Sequence, residues 1–195
     1  MYRPVLVEAP SILPVTVEEV KQSLRIDTAD DDAVIERDIR AAVAHYEGWT
    51  GILGIVLVEQ TWRQEFDSFD CLHLPLGPVI AVSSVKWRNK EGQIATIDQA
   101  DYALRTDGAG RSFVQFRHGY HHPPDLYESA AVQVEYRAGW ANTDDTPPKP
   151  TVPDDIRVAM IMRVQLGYDE AAKANSANLE RAEDALISKY RRFSL

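Results

Sequence analysis

The segment Asp30-Asp-Asp-Ala-Val-Ile-Glu-Arg-Asp-Ile-Arg-Ala-Ala-Val-Ala-His-Tyr-Glu-Gly-Trp-Thr-Gly51 carries the clearest fold signal in the chain. Its apolar side chains recur every three or four residues, which predicts a long amphipathic helix that ends near Trp49. Asp30 is the predicted N-cap, and the two acids that follow it suit a first turn, where the helix dipole favours negative charge.

Helical patterns also flank this segment. Upstream, Thr16-Val-Glu-Glu19 has the form of a capping box and predicts a short helix that ends near Ile26. Downstream, Pro153 suits the first turn of a third helix, with Gly167 near its end. The inward stripe of that helix consists of Ile156, Ala159, Met160 and Val164. A final helix is predicted from about Ala177 through Tyr190.

Between these helical parts the hydrophobic period changes towards two. Val132, Val134 and Tyr136 alternate with polar residues, and Asn89-Lys-Glu-Gly92 is typical of a hairpin turn. The middle of the chain is therefore predicted to be a small antiparallel sheet or barrel.

The order of these elements predicts an α+β fold in which the N-terminal and C-terminal helical pairs pack together around an inserted β domain. The predicted parts are an N-terminal helical part at 1–51, a β domain at 52–141 and a C-terminal helical part at 152–195. Residues 142–151, which contain three prolines, are predicted to be an extended linker.

Composition excludes several classes of protein. The chain has 195 residues, 45% of them apolar, which is enough for a core without disulfides, and its one cysteine, Cys71, indicates a reducing compartment. We expect a cytoplasmic protein with no membrane span, because the longest nearly uncharged apolar stretch, 52–58, is far short of the roughly 20 residues that a bilayer requires. A net charge of −9 argues against ordinary duplex binding.

The strongest candidate for chemistry is His118-Gly-Tyr-His-His122, since imidazole is a common metal ligand. Its spacing matches no established ligand pattern and no second paired motif accompanies it, so a solvated or hydrogen-bonded loop is the favoured interpretation. No catalytic residue, metal ligand or cofactor is assigned. A metal-dependent enzyme that uses this loop remains the alternative from another class.

Two further sets of residues are candidates for contacts with other proteins. Trp49, Trp87 and Trp140 are predicted to lie in the core or at a subunit interface. At the basic C-terminal end, Arg191, Arg192, Phe193 and Leu195 could dock on a partner, because arginine and aromatic residues are enriched at interfaces. A disordered tail is the competing interpretation of this end.

The ordered landmarks resemble the head-tail connector, or head completion adaptor, proteins of tailed bacteriophages and gene transfer agents. The resemblance covers most of the chain and depends on the order and spacing of several stretches. They are Thr16-Val-Glu-Glu-Val-Lys-Gln-Ser-Leu24, Asp30-Asp-Asp-Ala-Val-Ile35, Tyr46-Glu-Gly-Trp-Thr-Gly51, Leu74-Pro-Leu-Gly-Pro-Val79, Val82-Ser-Ser-Val85, Asp101-Tyr102, Val132-Gln-Val-Glu-Tyr-Arg-Ala-Gly-Trp140 and Val152-Pro-Asp-Asp-Ile-Arg157.

The resemblance implies a structural protein of the virion neck, at the head-tail junction, and not an enzyme. Such a protein binds the portal protein at the capsid vertex, forms a ring with neighbouring copies, twelve in all, and presents a surface to the downstream neck or tail protein. DNA passes through the lumen of the ring without sequence-specific binding. A monomeric accessory module of another assembly remains a further alternative.

Overall fold

The computed structural model describes residues 2–191, which divide into two compact units. The sheet unit contains the chain up to Pro10 together with Glu59–Gly139, and the helical unit contains Ser11–Val58 together with the chain from Trp140 onward. In the described residues no helix is long and apolar enough to cross a membrane.

The helical unit contains the five α-helices of the described residues. They are α1 (Val17–Leu24), α2 (Asp32–Tyr46), α3 (Asp154–Tyr168), α4 (Glu170–Ala174) and α5 (Ser176–Ile187). Helices α2 and α3 are in direct contact, and so are α3 and α5. One hydrophobic cluster includes fully buried side chains from both ends of the chain: Val20, Ile35, Ile39, Tyr46, Ile156, Met160 and Ile187.

The predicted capping box at the start of α1 is present. Thr16 Oγ1 accepts a hydrogen bond from Glu19 N at 3.1 Å, and Glu19 Oε2 accepts one from Thr16 N at 2.9 Å. Arg25 ends the helix in the left-handed conformation, with φ of 58°. Local sequence chemistry therefore determines where this helix begins.

The acidic run before α2 differs from the prediction. The N-cap is Asp31 instead of Asp30, and its side chain makes no capping hydrogen bond. Asp31 Oδ2 instead accepts a hydrogen bond from Tyr168 Oη at 2.6 Å, and Asp32 pairs with Lys21 at 2.7 Å. Two of the acids thus connect α2 to α3 and α1, because partners distant in sequence compete with the local backbone for the carboxylates.

The sheet unit contains eight strands, all paired antiparallel. They are β1 (Val5–Glu8), β2 (Gln60–Phe66), β3 (Leu72–Leu74), β4 (Val79–Arg88), β5 (Ile94–Thr96), β6 (Tyr102–Thr106), β7 (Ser112–Phe116) and β8 (Val132–Ala138). One sheet has the order β1-β2-β8-β4-β5 and the other the order β3-β7-β6. The alternation predicted for β8 is present, since Val132, Val134, Tyr136 and Ala138 are buried.

The N-terminal strand was not predicted from the sequence, which assigned residues 1–51 to the helical part. Strand β1 pairs with β2, with Val5 opposite Arg63 and Leu6 opposite Trp62. All four of its residues are exposed. A strand of four residues with no buried face has no alternating pattern, so only the pairing with β2 defines it.

The proline-rich segment also differs from the predicted extended linker. Thr143 N donates to Lys149 O at 2.9 Å, Lys149 N donates to Thr143 Oγ1 at 3.0 Å, and Asn142 pairs with Pro150 in an isolated antiparallel bridge. Residues 142–151 therefore form a closed loop inside the helical unit. Hydrogen bonds between its two ends overcome the extended preference of the prolines.

Candidate functional site

The basic C-terminal end follows α5. Arg191 Nη2 contacts Asp184 Oδ1 at 2.6 Å, and both side chains are largely exposed. Such a surface ion pair contributes at most about 1 kcal/mol, so a partner's carboxylate can replace Asp184 at low cost. The other predicted docking residues, Arg192, Phe193 and Leu195, lie outside the described residues.

The three candidate tryptophans have different surroundings. Trp49 is 46% exposed, just beyond the end of α2, and Ile52 beside it is 41% exposed. Trp140 is half-buried against the helical core, with its ring edge-on to Tyr190 at 6.2 Å between centroids. Trp87, on β4, is half-buried and lines a notch of about 30 Å³ beside Ile94. Trp49 is thus the most accessible of the three.

Close backbone contacts hold the exposed turn that follows α2. Ile52 N donates to His45 O at 2.9 Å, and Leu53 N donates to Tyr46 O at 3.2 Å. A side chain at Gly51 would place its Cβ 2.3 Å from Glu47 O, so only glycine fits there. We call Trp49–Ile52 the α2 tip.

The histidine loop packs against aromatic side chains. The His122 ring stacks on Phe69 with 4.8 Å between centroids, and it meets Phe116 edge-on at 4.8 Å and Tyr120 at 5.2 Å. His122 is nevertheless exposed, as are His118 and His121. Within residues 2–191, no group of three His, Cys, Asp or Glu side chains is placed to hold a metal ion. The loop thus has an aromatic packing role that the sequence analysis missed.

A buried ionic cluster in the helical unit was also missed. Glu183 is 1% exposed and accepts hydrogen bonds from Tyr46 Oη and from Arg163 Nε and Nη2, the latter two at 3.0 and 2.7 Å. Burial and the bond to Glu183 raise the pKa of Tyr46 well above its usual range. Burial and the nearby Arg163 lower the pKa of His45. The cluster connects α2, α3 and α5.

The sequence does carry a signal for Glu183, which lies four residues from both Leu179 and Ile187, on the apolar stripe of α5. Its neighbour Asp184 lies off that stripe and is exposed. Contacts among α2, α3 and α5 decide which of the two acids is buried. The role of Glu183 here is structural, since its bonds go to side chains of the same core.

The five-stranded sheet ends on two exposed apolar edges. On β1, Val5, Leu6 and Val7 are 45%, 43% and 48% exposed, and on β5 Ile94 is 62% exposed. No strand in the described part of the chain pairs with the outer side of either one. Exposed apolar edge strands are sites where another chain can add to a sheet.

The exposed features of the described residues are the α2 tip, Arg191 at the start of the basic end, and the open edges of β1 and β5. Residues 14–102 match the family model of Phage gp6-like head-tail connector proteins. This match confirms the resemblance to head-tail connector proteins seen in the sequence. No curated protein matches the chain.

Solved structures of similar fold come from gene transfer agent (GTA) particles. A chain in the neck of an empty GTA particle, computed with C6 symmetry, matches at a TM-score of 0.74 and 24% identity, over 100% of this chain and 97% of that one. A chain in the virion of a native GTA particle matches at a TM-score of 0.71 and 21% identity, over 98% and 96% of the two chains.

A third match is a chain in the neck of a native GTA particle computed with C12 symmetry. Its TM-score is 0.66 and its identity 20%, over 98% of this chain and 97% of that one. These likenesses confirm the predicted class of fold, a mixture of helices and antiparallel sheet.

Proposed function

We propose that this chain is a head-tail connector in the neck of a phage-like particle. It binds the portal protein at the capsid vertex, and twelve copies form a ring that extends the DNA channel and joins the downstream neck or tail protein. The observation that carries this proposal is the match over the whole chain to a chain of a GTA neck, together with the family match at residues 14–102.

Charge supports a channel through which DNA slides. The chain carries 30 acidic and 21 basic residues. A lumen lined with many lysines and arginines would bind the phosphates firmly and hold the duplex, whereas an acidic or neutral lumen lets it move. We infer that DNA passes without sequence-specific contacts.

In this proposal the N-terminal and C-terminal helical parts pack together as the wall of the ring, with the β domain inserted between them. The shared hydrophobic cluster supports this arrangement, since it includes Ile35 and Ile39 from α2 and Ile156 and Met160 from α3. The exposed Trp49 lies on the same unit and is a candidate for contacts between subunits.

The test of the function is assembly on the portal. Purified chain is mixed with purified portal protein, and the complexes are examined by native mass spectrometry and electron microscopy. We expect a ring of twelve copies on one end of the portal. A chain that stays unbound would contradict the proposal. A monomer in the absence of portal would agree with it, because ring closure can require the portal as a template.

The C-terminal end is the proposed portal-docking segment. Its basic and aromatic character contrasts with the acidic chain as a whole, and the side chain of Arg191 forms an exposed ion pair with Asp184. Deleting residues 191–195 should weaken portal association at least tenfold. The matched control is Arg181→Ala, which removes one exposed positive charge from α5 and should leave association unchanged. Unchanged association of the truncated chain would reject this role.

A further inference from the structure

The two edges of the five-stranded sheet are open, apolar and different from each other. Strand β1 exposes Val5, Leu6 and Val7, and β5 exposes Ile94, Ala95 and Thr96. These six side chains carry no charge and include no proline or lysine. Natural proteins usually place charged residues, above all lysine, or proline on free edges to prevent pairing with another chain. The one charge on either strand is Glu8 at the end of β1, and its Oε2 accepts a hydrogen bond from Thr61 on β2 at 3.3 Å. Both edges are therefore largely without the usual protection.

The edges of the smaller sheet are different. Strand β6 carries the exposed Arg105, whose Nε donates to Gln115 Oε1 on β7 at 3.2 Å, and β3 places Leu72 and Leu74 in the core with only His73 exposed. A charge on one edge and a mostly buried strand on the other discourage pairing. In the described part of the sheet unit, the large exposed apolar side chains all lie on β1 and β5, and this exposure singles out those two strands.

Strand β1 is held firmly although its side chains are exposed. Tyr2 Oη donates to Asp67 Oδ1 at 2.7 Å, and Gln64 Nε2 donates to Tyr2 O at 2.8 Å. Asp67 Oδ1 also accepts a hydrogen bond from Ala130 N at 2.9 Å. These bonds fix the strand against β2, so its outer backbone groups are presented as an ordered edge.

Strand direction makes the two edges compatible. Four antiparallel pairings separate β1 from β5, so both strands run the same way. When copies are related by rotation about an axis along the strands, β5 of one copy can lie beside β1 of the next in parallel. Such a head-to-tail contact uses two different surfaces and closes into a ring, whereas a two-fold contact would pair β1 with β1.

We propose that β1 of one copy pairs with β5 of the neighbouring copy, which makes the sheet continuous from subunit to subunit. The occupant of each edge is thus a second copy of this chain. The notch of about 30 Å³ beside Ile94 receives an apolar side chain from β1. Its lining is half apolar and half polar: Trp87, Ile94, Ala131, Lys86, Arg88 and Gln133. This inference rests on the proposed function, since it specifies how the ring closes.

The size of the contact indicates when it forms. Strands of three and four residues bury much less than the roughly 1,000 Å² that a specific interface usually requires. The pairing alone is too small to hold two free copies together. It closes when other contacts, such as those to the portal, already hold the copies side by side.

The test uses two variants, each with a single cysteine, in a Cys71→Ser background, because Cys71 is an exposed free thiol. One carries Val7→Cys and the other Ile94→Cys. The two proteins are mixed and oxidised on the portal, and also without portal at high protein concentration. We expect covalent dimers between the two variants and few within either one. Dimers of Val7→Cys alone would indicate a two-fold contact and would overturn the proposal.

A second measurement does not depend on cysteine chemistry. Val5→Lys with Val7→Lys places charges on β1 and should reduce ring closure on the portal at least tenfold, without changing the unfolding curve of the free chain. The matched control is Ala103→Lys, at an exposed position on β6. Two results would overturn the pairing and leave the connector function intact. One is complete rings of the cysteine variants without cross-links, and the other is complete rings of the double lysine variant. Failure of the parent chain to bind portal would count against the function, and absence of cross-links in both mixtures would overturn the pairing independently.

Discussion

The helical unit and the sheet unit bury different kinds of polar group. The helical unit buries a charged group, Glu183, which receives bonds from Tyr46 and Arg163. The sheet unit buries neutral groups, among them Gln64 and Ser112. A buried charge is costly unless all of its partners are present, whereas an amide or hydroxyl requires much less. The helical unit should therefore be the more sensitive of the two to the loss of one partner.

The two units also differ in how their elements are connected to one another. In the helical unit, polar contacts connect elements that are far apart in sequence, such as Asp31 with Tyr168 and Glu19 with Arg157. In the sheet unit the two outer strands have unpaired sides. The comparison teaches that polar contacts connect distant elements within the helical unit, while the sheet unit retains strand edges to which no described strand is paired.

The largest expected effect follows from removing the buried charge. Glu183→Ala leaves the buried side of Arg163 without its carboxylate and leaves Tyr46 Oη with only the longer bond to Ala159 O at 3.3 Å, and we expect a loss of about 4 kcal/mol in the free energy of unfolding. Chemical denaturation followed by tryptophan fluorescence and circular dichroism measures it.

The matched control is the next residue along the chain. Asp184→Ala removes an exposed carboxylate that pairs with Arg191, and it should cost at most about 1 kcal/mol. Equal losses for the two variants would show that burial of the charge does not distinguish Glu183 from its neighbour.

The second prediction compares a glycine from each unit. In the helical unit, Gly51→Ala would bring a Cβ to 2.3 Å from Glu47 O and 2.5 Å from Tyr46 C, so the α2 tip must move, and we expect a loss of about 3 kcal/mol. In the sheet unit, Gly108→Ala meets no atom within 4 Å and should be neutral or stabilising by under about 1 kcal/mol. Thermal unfolding of both variants measures the difference, and a destabilised Gly108→Ala protein would contradict it.

The third prediction concerns the neutral polar group of the sheet unit. Gln64 is fully buried, and its Nε2 donates to Tyr2 O and Glu65 O. Gln64→Ala should cost about 2 kcal/mol and loosen β1, which hydrogen exchange of the β1 amides can detect. The control is Gln115→Ala, at an exposed position on β7. A cost equal to that of Glu183→Ala would remove the distinction between the two units.

Much of the fold could be predicted from local patterns. The capping box at Thr16 places α1, and strict alternation places β8, because short-range chemistry dominates at both positions. Strand β1 and the three-residue strands β3 and β5 could not be predicted, because they are defined by their partners and not by periodicity. The extra helix α4 has only five residues, which is too few for a helical period to emerge.

The features of the candidate site also divide into those that the sequence could predict and those that it could not. Residue type predicted contacts for Trp49, which is exposed, and for the basic end that includes Arg191, and both stay predictions. It could not show that His122 stacks on Phe69, which lies far away in the sequence. Helical spacing indicates that Glu183 faces the core, but not which side chains meet it there. The edges of the sheet were missed for a similar reason: a strand has a free edge only with respect to the order of the whole sheet.

The smallest expected effect is a difference between the units in their response to acid. In the helical unit, burial and then Arg163 lower the pKa of His45 from its ordinary value of 6.5. In the sheet unit, hydrogen bonds from Tyr2 and then from the Ala130 amide lower the pKa of Asp67 from its ordinary value of 3.8. In both cases the unfolded chain binds the proton more tightly, so folding stability is lost as the pH falls.

The two losses occupy different pH windows. For His45 the loss begins below about pH 6.5, and for Asp67 it begins below about pH 3.8, so acid weakens the helical unit first. We expect the free energy of unfolding to fall slightly from pH 7.5 to 5.5, and His45→Gln to remove most of that fall, while Asp67→Asn leaves it unchanged. Denaturation curves at the two pH values test this. An undiminished fall in His45→Gln would mean that a group other than His45 gives the helical unit its sensitivity.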